Sequence, residues 1–321
     1  MFFIQNCLAG FTAQKTTPAR TSITERPADP SSIGPKDSYG EYLRCFSSRG
    51  KSGAGIYFPV LYQNLIFEGK SKPLLMKEKF LKLWKKYFGN AELPVTFYYT
   101  DGDGDSEWAK IPKGRSCIIC ELAKVRKGKS LVYNAERVAC GGAKRYLGYT
   151  EKMRPGFEYF LSCGNEKIEG ERYLQTPEQV NQFMAQFPKL PGSGRNIVFK
   201  RWDKLNEEDQ PEVAIFFATP DVLSGLFTLA TFDQNDPYGT ITPFGSGCSS
   251  IVYYPYLESL QERQRAVIGM FDISARPCVG ENILTFAVPV KRLEQMMHNM
   301  EESFLITESW RKVQKRIEAE N

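Results

Sequence analysis

A single histidine, His298, serves the whole 321-residue chain. That excludes a multi-histidine metal site, and any Ser-His or Cys-His catalytic pair would have to use this one residue. Its setting, VKRLEQMMHNMEESF, has helical apolar spacing, so a surface or partly packed imidazole is expected. No apolar run approaches the roughly 18 residues of a membrane span. The opening MFFIQNCLAGFTAQ has no basic stretch ahead of its short apolar piece. The expectation is a cytoplasmic protein with no membrane partner. Charge of one sign is also scarce: 42 Lys and Arg against 37 Asp and Glu leave +5, well short of the basic stripe of a nucleic-acid binder. Nucleic acid is therefore not expected as a partner. Eight cysteines are too few for a disulfide scaffold, and in a cytoplasmic chain they are expected to be reduced and free to bind or react.

Several nucleotide, metal and hydrolase signatures are missing as well. The glycines and lysine of CFSSRGKSGAGIYF lack the G-x-x-x-x-G-K-[ST] order of a phosphate loop. The acidic turn TDGDGDSEW has Ser106 where a calcium loop needs glycine and Pro112 where it needs glutamate. GSGC before Cys248 is not the G-x-S-x-G of a nucleophile elbow.

What is present is a globular composition, 42% hydrophobic with 22 Phe and 16 Tyr, implying a sizeable ring-rich core. Residues 1–75 stand apart. TTPARTSITERPADPSSIGPKD is too polar and proline-rich to offset its ordering entropy, and organised sequence begins with the amphipathic MKEKFLKLWKKYFG. We expect 1–75 to be a disordered or non-native extension and Met76 to be the biological start.

From there the order is strand (PVTFYYT), helix (SCIICELAKVRKG), strand (SLVYNA), a cysteine turn with helix (ACGGAKRYLGY), strand (FEYFLSC) and helix (TPEQVNQFMAQF). A similar order follows: EVAIFFAT, PDVLSGLFTLAT, YGTITPF, GCSSIVYYPYLESL, then VIGMFDIS, ILTFAVP and VKRLEQMMHNM. The landmarks Val95 and Val213 lie 118 apart, Cys140 and Cys248 108, and Glu178-Gln179 and Glu294-Gln295 116. We expect an α/β or α+β fold of two similar mixed strand-helix modules, 76–190 and 213–317, joined by a 191–212 linker and packed into one unit by internal duplication.

The cysteines carry the candidate chemistry. Cys117 and Cys120 form C-x-x-C at a helix start, with Ser116 expected as its cap; Cys140 and Cys248 each occupy a strand-to-helix turn, where unpaired N–H groups favour a thiolate. With no second C-x-x-C a zinc ribbon is excluded, and a four-cysteine centre must be assembled over long range. Cys163 and Cys278, at apparent strand ends, are expected to be structural. Arg276, just after an apolar strand, is placed to clamp an anion, and Gly141 and Gly142 leave an open approach.

CELAKVRKGKSLVYNAERVACGGAKRYLG, GSGCSSIVYYPYLE and IGMFDISARPCVGENILTFAVPVKRLEQM resemble the uncharacterised prokaryotic family called domain of unknown function 169, or ArCR, over roughly Met76 to Ile317. The resemblance implies a soluble prokaryotic fold and assigns no activity.

The leading expectation is an iron–sulfur cluster or other thiophilic metal centre held by Cys117, Cys120, Cys140 and Cys248 at the junction of the repeats. The alternatives are a metal-free site for a small anionic metabolite using Arg276, Gly141 and Gly142, and a cysteine-dependent redox enzyme. Whether any reaction is catalysed, and the oligomeric state, are not legible from these residues. Mass spectrometry of the native protein is expected to find its first peptide at Met76; a peptide from 1–75 overturns that start.

Overall fold

Eight strands form one mixed sheet in the order β2-β3-β4-β1-β5-β8-β7-β6 in a computed structural model that describes residues 72–114, 116–190 and 195–319. The strands are β1 Val95–Thr100, β2 Glu107–Trp108, β3 Leu131–Tyr133, β4 Asn196–Arg201, β5 Val213–Ala218, β6 Thr240–Ile241, β7 Ala266–Gly269 and β8 Leu284–Pro289. The disordered extension expected over 1–75 lies outside the described residues up to position 71. Helix α1, Lys72–Phe88, already begins before Met76.

Both edges of the sheet are parallel pairs, β2 with β3 and β6 with β7, and every pairing between them is antiparallel. A parallel pair needs a crossover, which is usually helical. In the first half the crossover carries α2, Ile118–Arg126. In the second it carries a π-helical turn, Ser249–Tyr253, running into α7, Tyr254–Ser259. Pro255, with no N–H to give, stands where the helical ladder changes register.

The central strands are apolar on both faces because both faces are covered. In β5, Val213, Ile215 and Phe217 enter one core while Ala214, Phe216 and Ala218 enter the other. The second core is closed by α1, α6 (Pro220–Thr231), α8 (Val290–Asn299) and α9 (Glu308–Ala319). There Phe80, Trp84, Phe88, Trp202 and Phe216 stack at ring-centroid spacings of 4.3 to 6.2 Å. The first core is closed by α2, α3 (Gly141–Tyr146), the π-turn and α7. His298 is exposed on α8. Among the described residues no helix is long and apolar enough to cross a membrane.

The structure departs from the sequence expectations in several places. The stretch 191–212, expected as a linker, contains β4, which lies between β3 and β1 and whose Ile197, Val198 and Phe199 are fully buried. Its Gly-Pro and charged flanks mask a short apolar run. FEYFLSC, expected as a strand, is helix α4, Phe157–Leu161, and α5 follows at Pro177–Ala185 behind a Thr176–Gln179 capping box. Helix α2 is capped by the backbone of Cys117, not by Ser116. In chain order Cys140 follows β3 whereas Cys248 precedes β7. The Glu178-Gln179 pair sits on a helix before β4, whereas Glu294-Gln295 sits on one after β8. Neither of those two landmark pairs occupies matching places, and the strands of both expected modules belong to one sheet.

β4 also carries a buried ion pair. Lys200 and Asp209 are each 2% exposed, and Lys200 Nζ donates to both Asp209 oxygens at 2.8 and 2.9 Å. The same carboxylate accepts the Tyr98 hydroxyl and the Asn206 N–H, so all its demands are met internally. A charge left alone here would have no water to solvate it. Asp209→Ala is expected to cost about 3–5 kcal/mol in urea unfolding, and a loss below about 1 kcal/mol would show that the pair does not hold this face together.

Candidate thiol site

Four segments leave the carboxyl ends of the short edge strands, and each carries a cysteine. After β2 the chain reaches Cys117 at the start of α2; after β3, Cys140 at the start of α3; after β6, Cys248 at the start of the π-turn; after β7, Cys278 in a 3-10 turn, Arg276–Cys278. Ligands of open α/β sheets favour such carboxyl-end loops because the backbone there is free of the ladder.

Packing in the first core brings these segments together. Gly247 is where the π-turn segment meets the others. A Cβ on it would lie 3.0 Å from Ala275 Cβ and 3.4 Å from both Ile119 Cγ1 and Met270 Sδ, so a side chain would push the Cys248 segment away from α2 and the Cys278 turn. Asp272 fastens the same junction, accepting the Gly247 N–H at 2.9 Å on one oxygen and Ser274 N–H, Ser274 hydroxyl and Tyr173 hydroxyl on the other. Met270, fully buried, has φ +72°, a left-handed conformation that a side chain of this size adopts only when its surroundings enforce it.

The sulfur group shares Cys117 and Cys120 with the expected set, adds Cys278, and does not include Cys140 or Cys248. The Sγ atoms of Cys117, Cys120 and Cys278 all lie within 4.8 Å of one another. Cys120 and Cys278 are joined as a disulfide with Cα atoms 4.7 Å apart. The expectation of reduced thiols does not hold for that pair. Cys117, Cys140, Cys163 and Cys248 are free thiols. Cys248 is buried, and burial pushes its thiol well above the usual cysteine range, with the nearby Cys140, Cys117 and Asp272 adding to the rise. Cys140 is exposed beside the cluster. Cys163 is exposed after α4 and its thiol turns to the Gly164 carbonyl at 3.4 Å.

Sequence reasoning missed Cys278 because IGMFDIS looked like one long strand. β7 ends at Gly269, so Cys278 lies in a turn. A signal was available: ERVACGG after β3 and ARPCVGE after β7 share an arginine, then a cysteine, then a glycine. Arg276 is spent on its own loop, its guanidinium donating to the carbonyls of Ile283, Gly280 and Glu281. Those bonds shape the Cys278 turn. Gly141 is exposed with open space where a Cβ would be, and a Cβ on Gly142 would sit 3.7 Å from Cys140 Sγ. The space beside Gly141 is therefore open.

In protein kept free of reductant, iodoacetamide at pH 8 is expected to label Cys140 at least about tenfold faster than Cys248, whose protonated, buried thiol is a poor nucleophile. Cys120 and Cys278 should label only after reduction. Equal labelling of Cys140 and Cys248 would contradict the burial of the latter.

No curated protein and no solved structure matches the chain. Residues 85–299 match the family described as uncharacterised ArCR, domain of unknown function 169, and cover all eight strands and every cysteine of the site. The chain belongs to that family.

Proposed function

We propose that the protein is a thiol-centred binding protein in which Cys117, Cys120 and Cys278, once reduced, hold a thiophilic metal ion or iron–sulfur cluster, with Cys248 or Cys140 as the fourth sulfur. The observation that carries the reading is the grouping of three sulfurs within 4.8 Å from two segments 158 residues apart. A tetrahedral ion with bonds of about 2.3 Å sets its sulfurs roughly 3.8 Å apart. Cys120 and Cys278 are bonded to each other, so reduction would have to part their sulfurs before both could ligate an ion beside Cys117. The cysteines would bind as thiolates, so loading releases protons and tightens as pH rises. A cytoplasmic location would keep them reduced.

A second reading is favoured by the Cys120–Cys278 bond itself. Cys117 lies within reach of that disulfide, so its thiolate would attack one sulfur, form a new S–S bond and release the other cysteine as thiolate, with no external oxidant. This is the chemistry of a cysteine-dependent redox protein.

The internal duplication is also part of this proposal, with the expected offset of 118 between Val95 and Val213 but a different pairing of the cysteines. The strand order and pairing directions read alike from either edge under the correspondence of β1 to β4 with β5 to β8. At the centre Val95 faces Ile215, Thr96 faces Ala214 and Phe97 faces Val213, so an offset of 118 exchanges the outer two pairs and keeps the middle one. That supports a pseudo-two-fold axis at Thr96 and Ala214. Under it Cys117 matches Cys248, each opening the crossover helix, and Cys140 matches Cys278, each following the inner parallel strand. Each half would then contribute two sulfur segments to one centre.

Anaerobic purification with metal analysis separates the readings. About one equivalent of zinc or iron per chain is expected, lost in Cys117→Ser and Cys278→Ser and kept in Cys163→Ser. A metal-free protein that takes up no zinc or iron after reduction removes the metal reading.

A further inference from the structure

A cavity of about 330 Å³ lies beside the thiol site, between the loop after β2, the first turns of α2 and the stretch that follows β3. Its volume is at the small end of ligand pockets. Its wall carries Lys110, Lys113, Lys124 and Arg137 against one carboxylate, Glu121. Glu121 is taken by Lys124 one turn along the helix, so the positive charge of Lys110, Lys113 and Arg137 is not balanced within the wall. Lys110 and Lys113 are exposed and have no ion-pair partner among the described residues.

Arg137 is fixed in place. Its guanidinium lies over the Trp108 ring at 4.8 Å and donates to the Ala109 carbonyl, yet its Nε is buried without a partner. Tyr133 lines the same cavity, is 2% exposed, and its hydroxyl has no hydrogen-bond partner. Burial raises the pKa of that hydroxyl, and the Glu121 carboxylate on the cavity wall raises it further, so it stands protonated and able to donate. A buried hydroxyl and a buried guanidinium N–H left unpaired at one cavity are costly, and native proteins keep such groups rarely and with a reason. Burying Tyr133 for packing alone would be served equally well by phenylalanine.

We infer that this cavity binds a small oxyanion-bearing molecule, its carboxylate or phosphate held by Lys110, Lys113 and Arg137 while the Tyr133 hydroxyl donates to an acceptor on the same ligand. The cavity's own residues carry this inference, and the metal reading of the sulfurs does not. Ser116 and Ala139 of the cavity wall are the chain neighbours of Cys117 and Cys140, so the occupant sits next to the thiol site. The site uses neither Arg276 nor the glycine pair.

Calorimetric titration and thermal melting of the full chain with pyrophosphate and with succinate test this and distinguish phosphate from carboxylate. One of the two is expected to bind at one per chain and to raise the melting temperature. Lys113→Ala and Arg137→Gln should each weaken it about tenfold, and Lys167→Ala, at an exposed position outside the cavity, should not. Tyr133→Phe carries the decisive comparison: without ligand it should melt at the same temperature or higher, because it deletes an unpaired hydroxyl, while its affinity falls about tenfold. The proposal is overturned if neither anion binds, if binding is indifferent to Tyr133→Phe, or if that variant loses stability without ligand.

Discussion

Burial of one face of the sheet under two crossover segments and the turns after β3 and β7 is the constraint from which the site follows. Each parallel edge pair requires a crossover, and the crossovers have nowhere to hide their apolar residues except against the same strands. Ile119 and Leu122 from one and Ile251 and Val252 from the other therefore enter a single core with Phe97, Ile215 and Ala287. Cysteines that open those crossovers are carried along. Gly247 allows the last approach, since a side chain there would contact Ala275, Ile119 and Met270 at once.

The two faces of the sheet are packed differently. The face under α1, α6, α8 and α9 is filled by stacked rings and closed around Trp310, whose indole N–H donates to the Tyr87 carbonyl at 2.8 Å. Its buried charges include two ion pairs, Lys200 with Asp209 and Arg292 with Asp233, while one Asp221 oxygen and the Trp202 indole N–H are buried without a partner. The opposite face has the strained Met270, the π-turn, unpaired polar atoms of Tyr133 and Arg137, and a buried thiol at Cys248. Local costs of this kind accumulate where a fold is shaped by its ligand and not by stability alone.

The sulfur group and the cavity at Tyr133 and Arg137 share a wall through α2. Cys117 caps the helix whose Glu121 and Lys124 line the cavity, and Arg137, Val138 and Ala139 line it just ahead of Cys140 in the chain. An anion bound there would bring negative charge beside the sulfurs and disfavour additional thiolate charge. A metal ion on those sulfurs would offset it. The two occupants would thus be coupled electrostatically through one short helix, a physical link that neither site has alone.

Most of the elements were legible from the sequence, because apolar periodicity reports burial directly: β1, β5 and β8, the amphipathic α1 and α8, and the C-x-x-C helix all stand near their expected places. The same holds for the single exposed histidine and the family. Short elements escaped for the same reason. β4 is a brief apolar run between charged flanks, α4 reads as a strand because five residues carry too little period, and Cys278 was hidden inside an apparent strand. Tertiary structure alone decided the sheet order, the partnership of Cys120 with Cys278, and the use of Arg276 on its own loop. Those depend on which segments meet across about 150 residues of chain, and burial patterns along a sequence say how deep a residue lies but not against what.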